Sequence, residues 1–134
     1  MRKLLLVALV TLLPGCALVD AYLMTKYDPN EYRIITEIRS DANTYKTQCD
    51  DAVASKANSV AIADKTKLFQ FYSEQIPRNT NGISASKNLN EIAQGLKTRY
   101  AGADKVSATF CKLKFEGIEI GATTIQHVLG NRPR

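Results

Sequence analysis

The stretch DPNEYRIITEIRSDANTYKTQCDDA, residues 28–52, decides the fold. Its first residues carry the signals that start a helix. Asp28 can accept hydrogen bonds as an N-cap, Pro29 suits the first helical position, and Glu31 falls three residues after the cap as in a capping box. Ile35, Ile38, Ala42, Tyr45, Cys49 and Ala52 then recur at steps of three and four, which traces one face of an α-helix. The pattern predicts a first helix over about 29–56 and sets Cys49 on its buried stripe.

Downstream the same period returns three times. Ala57-Asn58-Ser59 is a weak break, after which Ala61, Leu68, Phe69, Tyr72 and Ile76 form a second stripe. Phe69, Phe71 and Tyr72 make this the most aromatic stretch, read either as core packing or as a partner-binding face. Pro77-Arg78-Asn79-Thr80-Asn81-Gly82 is a loop signal. Ser84 or Ser86 can cap a third helix with Leu89, Ile92, Leu96 and Tyr100 on its stripe, ending near Gly102.

Asp104 can cap a fourth segment whose stripe runs through Val106, Phe110, Leu113, Gly117, Ile120, Thr124 and Val128. Cys111 lies beside Phe110 at the flank of that stripe. Residues 111–121 also alternate as a hairpin would, with Lys112-Leu113-Lys114-Phe115-Glu116 before Gly117 and Ile118-Glu119-Ile120 after it. The continuity of the stripe into Val128 favours helix. Four amphipathic segments with short links imply an all-α fold, a small antiparallel bundle of about four helices over residues 28–134.

The beginning of the chain has a different character. Arg2 and Lys3 precede ten residues, Leu4 to Leu13, that are apolar except for Thr11. The run is too short to span a bilayer as a helix, which takes about 20 residues, but suits the core of an export signal. Leu13-Pro14-Gly15-Cys16 resembles the lipobox of bacterial lipoproteins. The resemblance implies cleavage before Cys16, diacylglycerol on its sulfur and acylation of the new amino terminus. An ordinary signal peptide is the plainer alternative. On the lipoprotein reading, residues 1–15 are the signal peptide and residues 16–27 the lipidated terminus and a short tether. Ala17 follows the cysteine where an Asp would retain an enterobacterial lipoprotein at the inner membrane, so the resemblance implies the outer membrane, facing the periplasm.

With Cys16 assigned to lipid, Cys49 and Cys111 remain of the three cysteines. An even pair in an oxidising compartment reads as a structural disulfide. The alternatives are a redox-active pair or metal ligands, but no CxxC and a single histidine are present. Loss of Arg2 and Lys3 with the signal takes the formal net charge from +5 to +3, a mild excess that gives no argument for nucleic acid.

Nothing in the chain reads as a catalytic constellation. His127 is the only histidine, Asp50-Asp51 are adjacent positions on a helix, and Glu116 with Glu119 reads as a surface pair. There is no Gly-rich phosphate loop and no serine-elbow motif. The expectation is therefore a non-enzymatic lipid-anchored protein, without metal or cofactor, that binds an envelope partner as adaptor, inhibitor or structural element. The alternative is a carrier of lipid or another hydrophobic ligand inside the bundle, which calls for an apolar cavity.

Overall fold

The computed structural model describes residues 24–134, which form four α-helices and no strand. The signal segment, the lipobox with Cys16 and the tether up to Leu23 lie outside the described residues. The helices are α1 (Pro29–Tyr45), α2 (Ala52–Gln75), α3 (Thr80–Ala101) and α4 (Ala108–Gly130), with a 3-10 turn at Lys46–Gln48. Each packs on its two neighbours in a closed ring of α1, α2, α3 and α4. The cross-links run antiparallel: Asp41 with Lys65 and Asp28 with Tyr72 join α1 to α2, and Arg39 with Gln126 and Lys46 with Glu119 join α1 to α4. Residues 111–121 are helical, so the hairpin alternative is excluded.

The expected α1 stripe is observed as far as Cys49, with Tyr45 half-buried, whereas Ala52 is exposed and opens the next helix. Asp28 caps the helix by accepting from the Glu31 amide, and Ile35, Ile38, Ala42 and Cys49 are buried. Its end differs from the expectation. α1 stops at Tyr45, and Asp51 begins a new helix by accepting from the amides of Val53 and Ala54. Asp51 is thus a cap rather than a helix-surface residue. The break expected at Ala57-Asn58-Ser59 lies inside α2.

α2 also buries a different face. Ser55, Ser59, Ile62, Ala63, Thr66, Phe69 and Ser73 point inward, while Ala61 and Leu68 are exposed. Small polar side chains can occupy this face because their hydroxyls are satisfied within the helix. Ser55 donates to the Ala52 carbonyl, Ser59 to that of Lys56 and Thr66 to that of Ala63. α3 starts at Thr80, earlier than Ser84 or Ser86, and Gly82 is the buried residue of its first turn. There a Cβ would collide with the Asn79 side chain. Ser107, not Asp104, caps α4 by accepting from the Phe110 amide.

Both ends of the bundle are fastened. At one end Cys49 and Cys111 lie at disulfide distance, with Cα atoms 5.7 Å apart, and are joined. At the other end Glu31 is fully buried. Its carboxylate accepts from Ser73 Oγ (2.9 Å), Asn79 Nδ2 (2.8 Å) and Arg132 (2.6 Å). Arg132 also donates to Asn79 Oδ1 (2.7 Å), and the Tyr27 amide donates to the Pro133 carbonyl (2.8 Å). One carboxylate thereby ties α1 to the end of α2, the start of α3 and the tail after α4.

Cys49→Ser should lower stability by about 4 kcal/mol, because the bridge closes a loop of 62 residues. Arg132→Ala should cost about 3–5 kcal/mol by leaving a buried carboxylate without its cation. Urea unfolding followed by circular dichroism measures both.

Candidate functional site

α4 is apolar on two faces. Its inner seam, Cys111, Phe115, Ile118, Ala122, Ile125 and Leu129, steps by four and three and fills the bundle. The stripe expected from the sequence, through Leu113, Gly117, Ile120, Thr124 and Val128, is the outer face. Leu113 is 62% exposed, Ile120 60% and Val128 55%. This corrects the expected core of α4. The two seams have the same period and differ only in phase, so periodicity cannot rank them. Cys111 could have ranked them: a residue bridged to the buried Cys49 must face inward, and its own three-four series is the inner seam.

Lys112 and Glu119 point away from the outer seam, toward the segment that follows α1, where Lys112 meets Asp50 at 3.2 Å and Glu119 meets Lys46 at 2.5 Å, while Lys114 and Glu116 flank the seam. At one end of the seam Phe110 is half-buried, with the Arg99 guanidinium 5.9 Å and the Lys114 ammonium 5.4 Å from its ring centroid. A Cβ at Gly117 would meet nothing within 4 Å, whereas one at Gly121 would come within 3.2 Å of Leu89 Cδ1 on α3. Ile92, also exposed, lies two helical turns before Arg99 on the flank of α3 that turns toward α4. It widens the seam.

The other exposed apolar residues do not make such a surface. Val53, Val60, Leu68 and Phe71 on α2 are interrupted by Lys56, Asp64 and Lys67. The Lys67 ammonium stands 5.6 Å from the Phe71 ring centroid. The aromatic trio singled out from the sequence is divided. Phe69 is fully buried, Tyr72 is half-buried with its hydroxyl on Asp28 (3.1 Å), and Phe71 alone is exposed.

Lys65 and Tyr45 sit beside the Asp41 carboxylate. Lys65 lies 2.5 Å from Asp41 and 3.6 Å from Glu37. Partial burial pulls its pKa down, but the hydrogen bond and charge of Asp41, with the charge of Glu37, outweigh this and hold it above the usual lysine value. Burial, and then the charge of Asp41, raise the Tyr45 phenol. His127 is exposed and bonds within its own helix turn to Asn131 (3.3 Å). Among the described residues, no group of three or more His, Cys, Asp and Glu is placed to hold a metal ion. No helix among them is long and apolar enough to cross a membrane.

Comparison of the chain with protein-family models, curated proteins and solved structures gives no match.

The two seams can be told apart by one pair of substitutions. Ile118→Asp should destabilise by more than about 4 kcal/mol because it buries an unpaired carboxylate. Ile120→Asp should stay within about 0.5 kcal/mol, as surface changes do. Thermal melting of the two variants under identical conditions checks this.

Proposed function

We propose that this chain is a lipid-anchored protein of the bacterial outer membrane, facing the periplasm, that works by docking rather than by catalysis. The lipobox resemblance at Cys16 supports the address. The observation that carries the docking reading is the outer seam of α4. Leu113, Ile120 and Val128 are more than half exposed along a helix already rooted in the core by its opposite face. Ordered side chains lose little entropy on association, so a helix fixed at both ends is a pre-organised docking surface.

The carrier reading is set aside on packing. A ligand inside the bundle needs room among the helices, and fully buried Phe69, Phe115, Ile35, Ile38, Ile62 and Leu96 occupy that space. The clefts at hand lie on the surface. One of about 390 Å³ between α1 and α4 is lined by Tyr32, Arg39, Gln126, His127 and other polar groups.

Expression in a Gram-negative host tests the reading in two steps. The intact mass should be that of a chain beginning at Cys16 and carrying acyl groups, and Cys16→Ser should abolish that processing. Ile120→Asp should then remove whatever the wild-type protein retains from solubilised envelopes, while Val53→Asp should not. An unprocessed chain would refute the address, and equal retention by the two variants would refute the role of α4.

A further inference from the structure

Resting on that reading of the seam, we propose that its occupant is a second copy of this chain, packed α4 against α4 in parallel. The first ground is register. Phe110, Leu113, Gly117, Ile120 and Thr124 step by three and four, the spacing that lets two identical helices interlock along a shared seam. The inner seam of α4 is already occupied by its own bundle, and among the described residues nothing covers Leu113, Ile120 or Val128 on the outer one.

Gly117 is the second ground. A Cβ there would meet nothing within 4 Å, as at Gly95 on α3, so the face is open, and the lack of a side chain lets a second helix approach it closely. Charge is the third. In a parallel pair, the flanking positions that meet across the axis lie five residues apart. Here they are Thr109 with Lys114, Glu116 with Gly121, and Thr123 with Val128, so no like charges are opposed.

For bundles that stand upright on the membrane, the tether sets the direction. Seven residues separate Cys16 from Met24, so the connection reaches at most about 28 Å. Met24 lies at the end of the bundle where α4 finishes, lining a cleft with His127, Val128, Asn131 and Arg132. α2, with 24 residues, is about 36 Å long. An antiparallel pair standing on one membrane would lift one tether out of reach, and a parallel pair keeps both anchors down. Confinement of both copies to one surface raises their effective concentration, so a seam along one helix need not supply the roughly 800 Å² per partner of a stable soluble dimer.

The test uses the full lipidated chain in vesicles of phosphatidylethanolamine and phosphatidylglycerol, with added single cysteines and mild oxidation. Processing is read first from the intact mass. Leu113→Cys and Ile120→Cys should each form disulfide-linked dimers alone, and the α2 control Val53→Cys should not. Adding Ile120→Asp to Leu113→Cys should reduce dimer formation on the order of tenfold, because a carboxylate buried in the seam costs at least a decade of affinity. Cross-linking at Leu113 and Ile120 no greater than at Val53 would overturn the proposal. So would stronger linking in a mixture of Leu113→Cys and Val128→Cys than in either alone, the mark of an antiparallel pair. If the seam variants fail to cross-link yet Ile120→Asp still abolishes retention of an envelope protein, the docking reading stands and the second copy does not.

Discussion

The bridge between Cys49 and Cys111 is the constraint from which the rest of the architecture follows. It joins the end of the α1 segment to the first turn of α4. Because Cys111 must face inward to reach Cys49, the helical period sends Phe115, Ile118, Ala122, Ile125 and Leu129 inward after it. The same period puts Leu113, Ile120 and Val128 outside. One covalent contact therefore selects the face of α4 that builds the core and the face that stays on the surface.

The opposite end is closed by charge instead of sulfur. Glu31 has no exposure, and its hydrogen bonds come from three separate elements. Removing such a carboxylate from water is unfavourable unless cation and donors surround it, and Arg132, Ser73 and Asn79 do. Asn79 is drawn so fully into this network that it makes no side-chain cap for α3. Its backbone carbonyl still accepts from Ile83 (2.8 Å). A bundle held at both ends presents its outer surfaces as a stable frame.

Sequence periodicity reached the fold class, the four helical segments and the α1 stripe as far as Cys49, and the pairing of the cysteines came from their number once Cys16 was set apart. It failed where two physical readings share one period. On α4, two seams of the same period coexist, and the stripe traced through Leu113, Ile120 and Val128 is the exposed one. On α2, the inward face is lined by Ser55, Ser59, Thr66 and Ser73, which look like surface residues until their hydroxyls are seen bonded within the molecule. Helix ends failed for a local reason: Asp51 next to Asp50 reads as a charged surface unless its side chain is known to accept from the amides of Val53 and Ala54. The Glu31–Arg132 pair spans 101 positions and had no local signal.

On the reading proposed above, a lipid tether precedes the doubly fastened bundle, and the second seam of α4 is the surface that docks. The account rests on the phase of α4. The most direct measurement is methyl-resolved nuclear magnetic resonance of Ile118 and Ile120 in dilute solution with a soluble paramagnetic agent. The account predicts strong broadening of the Ile120 methyls and none of those of Ile118. Broadening of Ile118, or equal protection of both residues, would contradict it.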